Sequence, residues 1–256
     1  MLRRLRIFLA ALALAVVPAL AVLSTAGGAD AAVTGPAAPL LGPSAYSIPY
    51  SGYVANGPAT YTSATAGWSQ PAGSCTSQNS GARFYIGLGG WNNSPSAAAG
   101  TDTDCSGGSP VYYAWYKTST SGFVTYGNAI QAGDNMVATI TCTGGTTCTL
   151  DLADATANWG ASVTVTLSGP PQSAEAFVGT NGLLPLTNFG TVNFATVQFN
   201  TQSGVLDSVS SYLITDLTGQ TLNSLSPMSS VTLPIVGTTW LFFSATWLSA
   251  TWLSAT

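Results

Sequence analysis

Histidine is absent from all 256 residues, and glutamate occurs once, at position 175. Without histidine, Ser-His-Asp and Cys-His catalysis are excluded, and so is any histidine-ligated metal. An enzyme made from this chain has carboxylates, amides, hydroxyls and tyrosine to work with. Charge is scarce as well, at 5% of residues. Beyond residue 31 the bases are Arg83 and Lys117 against eight acids, so 2 − 8 = −6. Clusters of Lys and Arg that could neutralise phosphates are missing, which excludes ordinary nucleic-acid binding. Protonating eight carboxylates in acid leaves a net charge near +2, so charge repulsion at low pH is slight and the chain is expected to tolerate an acidic exterior. No segment sustains a helical period.

What is present begins with an export signal. Arg3, Arg4 and Arg6 precede an apolar run from Ile7 to Leu23, and Ala29-Asp30-Ala31 offers a small-x-small cleavage site. The run ends in Ser, Thr, Ala and Gly without a basic stop. Residues 1–31 therefore read as a signal peptide of a secreted protein, with no stable membrane anchor. Residues 32–44 read as a linker or short propeptide.

From residue 45 to 243 the chain is a succession of short segments rich in Thr, Val, Tyr and Ala, punctuated by Gly, Ser, Asn and Pro. Twelve candidate strands include Tyr46–Val54, Arg83–Leu88, Val111–Lys117, Ser173–Val178, Tyr212–Asp216 and Val231–Val236. This pattern predicts an all-β sandwich in a single domain. Ser244-Ala245-Thr246-Trp247-Leu248 then repeats, and residues 244–256 read as a tail appended to the last strand. Four cysteines in an exported chain predict two disulfides. Cys142 and Cys148 flank a hairpin-like Thr-Gly-Gly-Thr-Thr turn, which leaves Cys75 to pair with Cys105. Their spacing fits no common zinc site, so neither a metal nor another cofactor is expected.

Glu175 lies in the apolar run Gln172–Gly179. A carboxylate so placed should have a shifted pKa and is a candidate for acid–base work; the alternative is a solvated glutamate on an edge strand. Alternation sets Ala174, Ala176 and Val178 on one face, and Glu175 and Phe177 on the other. In the run from 111 to 117, Tyr113, Trp115 and Lys117 likewise share a face.

Several stretches, in order, resemble the glutamic peptidases, or eqolisins, and especially their bacterial members. They are YSGYVANG at 50–57, YTSATAGWSQP at 61–71, FYIGLGG at 84–90, GTDTDC at 100–105, PVYYAWYK at 110–117, QSAEAFVG at 172–179 and LPLTNFGTVNF at 184–194. The resemblance spans roughly residues 50 to 236. It implies two large antiparallel sheets with a cleft on one face, a polypeptide substrate, and acid-pH hydrolysis by a Glu/Gln pair. In that chemistry the glutamate takes a proton from the attacking water and returns it to the leaving amine, while the glutamine amide stabilises the oxyanion.

Glu175 matches the family's glutamate. The motif Gln-Thr-Gly-x-Asp falls on Ala98-Ala99-Gly100-Thr101-Asp102, so Ala98 stands at the amide position, and no Gln occurs between Gln78 and Gln131. Asp102 and Trp115 are retained. Gly89 and Lys117 replace family acids, and Gly179 replaces an acid often found four residues after the glutamate. The resemblance thus puts Asp102, Tyr113, Trp115, Lys117, Gly89 and Phe177 along the cleft, with Asn92 or Asn93 as a substitute amide or a turn. Three functions are open: a weakened or inactive glutamic endopeptidase, a non-catalytic polypeptide-binding relative, or a carbohydrate-binding sandwich stacking sugars on Trp68, Trp91, Trp115 and the tyrosines. A monomer is expected.

Overall fold

The computed structural model describes residues 45–47, 49–91, 95–181, 184–202, 209–215, 220–233 and 238–248. Among the described residues there are sixteen strands and no helix. The first eight are β1 (Ala45–Ser47), β2 (Tyr50–Asn56), β3 (Tyr61–Ser69), β4 (Asn79–Gly89), β5 (Ser96–Ser106), β6 (Ser109–Thr118), β7 (Gly122–Tyr126) and β8 (Asn135–Thr143). They are followed by β9 (Thr147–Asp154), β10 (Trp159–Thr166), β11 (Ser173–Thr180), β12 (Thr191–Thr201), β13 (Val209–Ile214), β14 (Asn223–Leu225), β15 (Ser229–Leu233) and β16 (Thr238–Trp247).

Two large sheets result. The first runs β1-β13-β2-β11-β4-β5-β6-β7, and the second β10-β9-β8-β3-β12-β16-β14, with β15 also paired to β16. Every pairing is antiparallel except β1 on β13. The all-β sandwich is therefore the observed fold. Burial along the strands follows the two-residue period of a pleated sheet. On β8, Met136, Ala138, Ile140 and Cys142 point inward while their neighbours face outward. The core lies between the sheets. Ala174, Ala176 and Val178 of β11 and Phe84, Ile86 and Leu88 of β4 join Ala64, Ala66, Trp68, Ile140 and Phe194 from the second sheet. The Trp68 indole N–H donates to Thr101 Oγ1 of the first sheet at 3.0 Å.

Both disulfides form as expected. Cys142 and Cys148 are direct partners across β8 and β9, and Cys75 ties the loop after β3 to Cys105 on β5. Several boundaries differ. The stretch Tyr46–Val54 is two strands broken around Pro49, and the strand expected at Tyr212–Asp216 sits earlier, as β13. β5 was not anticipated at all: its Ala-, Gly- and Asp-rich sequence has weak strand propensity, yet it occupies the sheet interior between β4 and β6. The limit drawn between 243 and 244 falls inside β16, because Ser244, Ala245 and Thr246 pair with β12. Four of the five residues of the first copy, Ser244 to Trp247, belong to the sheet. The signal peptide, the linker and the second copy of the repeat lie outside the described residues.

Candidate active site

β11 carries Glu175 and is interior to the first sheet, with β2 on one side and β4 on the other; all eight of its residues are buried. The edge-strand alternative for Glu175 is thereby removed. Alternation divides β11 as its sequence suggests: Ala174, Ala176 and Val178 enter the main core, while Phe177 joins Val54, Tyr85 and Trp115 in a separate apolar cluster. Glu175 shares that second face.

The registers of the first sheet align the face in rows. One row crosses six strands as Val54, Glu175, Gly87, Ala98, Lys117 and Phe123. The next is Gly52, Phe177, Tyr85, Gly100, Trp115 and Thr125. A third holds Tyr50, Gly179, Arg83, Asp102 and Tyr113. Glu175, Ala98, Lys117, Phe123, Arg83, Tyr85, Trp91, Trp115 and Phe177 line a single depression on this face.

Glu175 and Ala98 are thus two strands apart, with only the bare backbone of Gly87 between them. The carboxylate leans over that glycine: a Cβ built on Gly87 would lie 2.3 Å from Glu175 Oε1. Ser173 Oγ donates to Oε2 at 3.3 Å. The residue is 7% exposed. Burial pushes the Glu175 carboxyl up to about 8, against the weaker downward pull of the Ser173 hydroxyl. Desolvation disfavours the charged form, and one long hydrogen bond does not offset it. Lys117 could lower the value by approaching, but its ammonium rests over the Phe123 ring, 4.7 Å from the centroid and on the far side of Ala98.

Asp102 occupies a different niche. Its Oδ2 accepts from Arg83 Nε at 3.2 Å, and its Oδ1 from the Trp115 indole at 2.5 Å. Burial nonetheless lifts the Asp102 carboxyl to about 7, because desolvation outweighs the Arg83 charge and both hydrogen bonds. The Arg83 guanidinium also donates to Asn181 Oδ1, and Asn181 in turn donates to Asp104 at 2.8 Å. This network fixes Trp115 from behind, while Trp115 meets Tyr85 and Phe123 at centroid distances of 5.7 and 4.9 Å.

The structure brings Glu175, Ala98, Lys117, Gly89, Trp115 and Phe177 to one depression. Tyr113 and Asp102 line an adjoining one with Arg83, Asp104 and Asn181. Gly89 has φ = 70° and a Cβ there would collide with the Pro95 carbonyl, so the position suits glycine and strains any larger residue. Asn92 and Asn93 lie outside the described residues. Trp68 belongs to the main core and Trp115 is 2% exposed, so neither can stack a sugar; Trp91 alone of the three lies open on the wall. Sequence reasoning missed Tyr50, Arg83, Tyr85, Phe123 and Gly87. Strand alternation alone could have found Arg83 and Tyr85, which share a face with Gly87 on β4.

Residues 49–233 match the model of the Peptidase A4 family. Among solved structures, scytalido-glutamic peptidase with a transition-state analogue inhibitor is similar at 17% identity and a TM-score of 0.65, covering 78% of this chain and 98% of its own. SCP-B, an eqolisin solved with the tripeptide Ala-Ile-His, is similar at 18% identity and 0.58 over the same shares. Aspergilloglutamic peptidase from Aspergillus niger covers 66% of this chain and 99% of its own at 19% identity and 0.50. No curated protein sequence matches. The family match spans most of the chain and coincides with the sheet face that holds its one glutamate: the chain belongs to the Peptidase A4 family, the glutamic peptidases.

Proposed function

We propose that this protein is a secreted glutamic-peptidase relative that keeps the polypeptide cleft but hydrolyses peptides weakly or not at all. The observation that carries this reading is the row Glu175–Gly87–Ala98, in which the buried carboxyl faces a methyl group across a bare glycine. Ala98 offers no donor to hold the attacking water or the developing oxyanion. Losing one such donor costs about 10²–10³-fold in kcat.

The protonation state adds to the deficit. To take a proton from water, Glu175 must be ionised. With its carboxyl raised to about 8, that form makes up about one molecule in 10⁴ at pH 4. An amide hydrogen-bonded to the carboxylate would favour the charged form, and Ala98 supplies none. As a proton donor to a leaving amine, Glu175 remains well suited. Half of the acid–base cycle is available in acid, and the other half is suppressed.

The depression around Glu175 supports the binding half of this reading. Tyr50 stacks on Phe177 at 5.7 Å, and Trp91 and Tyr85 pack around the same ring, giving the depression an aromatic wall against which peptide side chains could rest. This favours polypeptide binding over the carbohydrate reading, whose Trp68 and Trp115 are inaccessible. Digestion of an unfolded protein at pH 2–4 tests the proposal. Little or no cleavage is expected, with Ala98→Gln raising it at least tenfold. Strong cleavage by the unaltered chain, abolished by Glu175→Gln, would overturn the reading.

A further inference from the structure

The two bases that the chain carries beyond residue 31, Arg83 and Lys117, sit on the same aromatic ring. The Arg83 guanidinium carbon is 4.0 Å from the Phe123 centroid, and Lys117 Nζ is 4.7 Å from it. Both line the depression that holds Glu175. Their circumstances differ. Arg83 is committed to Asp102 and Asn181. Among the described residues no carboxylate lies within ion-pair distance of Lys117. Lys117 is half-buried, with its ammonium over the Phe123 ring at the rim of the depression both residues line.

Lys117 is half-buried on a ring that is itself 44% exposed, so water screens it in part, but with Arg83 on the same ring the two cations give this end of the depression a positive potential that attracts an anion. The carboxyls that could neutralise it are unavailable. Asp102 is hydrogen-bonded to Arg83 and Trp115 and, like Glu175, is held protonated in acid by burial, and Glu175 also lies three strands away. Three spacings of about 4.8 Å span about four residues of an extended peptide. An acidic side chain within that distance of the group over Glu175 can therefore reach the ammonium.

We propose that Lys117 makes this cleft selective for polypeptides carrying an Asp or Glu within about four residues of the segment seated over Glu175, whose carboxylate it binds as an ion pair. The proposal rests on the polypeptide reading of the cleft but not on any surviving hydrolysis. Lys117 is a specificity-determining residue, and Arg83 reinforces the local positive potential.

Fluorescence polarisation tests it with labelled octapeptides that differ by a single Glu or Gln, measured at pH 5.5 on the Glu175→Gln variant so that nothing is cleaved. The Glu peptide should bind about tenfold more tightly, the scale of one charge-assisted contact. Lys117→Met, which keeps the stem against Phe123, should equalise the two peptides, and Lys117→Arg should preserve the preference. Lys117→Glu should transfer it to a Lys-bearing peptide. Equal binding of Glu and Gln peptides to the Lys117 protein overturns the proposal and leaves the polypeptide cleft standing. Absence of binding by any peptide overturns both. Retention of oligogalacturonate in place of peptides overturns it in favour of an acidic carbohydrate.

Discussion

A carboxylate can lie across the neighbouring strand only where that strand presents no side chain, and Gly87 is such a position beneath Glu175. A methyl there would meet the far end of a flexible side chain rather than backbone. Gly87→Ala should therefore fold normally and displace the carboxyl toward solvent. Because the chain has a single glutamate, carbon-13-labelled glutamate gives one side-chain carboxyl signal to titrate. In the unaltered protein it should titrate near 8, and in Gly87→Ala distinctly lower, as desolvation is relieved. An unchanged titration would sink this account of the site. Glu175 was legible in the sequence because it is unique and its strand alternates cleanly. Gly87 was not, since its importance lies in a cross-strand register that connects residues 88 positions apart. Lys117 was legible as a cleft residue, but its seat on Phe123 depends on the β6–β7 pairing.

Strands differ in how openly they declare themselves. β8 and β9 alternate plainly, whereas β5 is Ser-Ala-Ala-Ala-Gly-Thr-Asp-Thr-Asp-Cys-Ser and reads locally as loop. Its small residues make sense only beside β4. A Cβ at Gly100 would collide with the Phe84 carbonyl and the Tyr85 backbone, so close coiling of the sheet there requires glycine. β16 misled for another reason: a duplicated Ser-Ala-Thr-Trp-Leu looks like an appendage, although Ala245 is fully buried and Thr246 pairs with Thr191. Ending the chain after Phe243 should strip pairing from both β12 and β14 and lower Tm by about 10 °C or more, at roughly 2–4 °C per kcal/mol for a domain of this size. Ending it after Leu248 keeps every described pairing of β16 and is the control. Equal melting of the two truncations would show that the first repeat copy contributes nothing to the sheet.

Charge is so sparse over the whole molecule that two buried carboxyls dominate its response to pH. Glu175 is raised from 4.5 to about 8 and Asp102 from 3.8 to about 7, in both cases chiefly by desolvation. Between its unfolded and folded values each group is protonated when folded and ionised when unfolded, so the folded state binds more protons. Stability must then fall as pH rises through that window. The contribution is present in full below about pH 4 and is lost progressively up to about pH 8, the reverse of a protein held together by ionised carboxylates. At about 1.4 kcal/mol for each tenfold change in proton affinity, the two shifts amount to at most roughly 9 kcal/mol, which predicts a Tm lower by at least about 10 °C at pH 8 than at pH 4. Glu175→Gln should flatten the slope and raise Tm at pH 8, because a neutral amide removes the cost of a buried charge while keeping the shape of the carboxyl. A Tm that rises from pH 4 to pH 8, or a slope indifferent to Glu175→Gln, would mean that the carboxyl is solvated rather than buried in the sheet face.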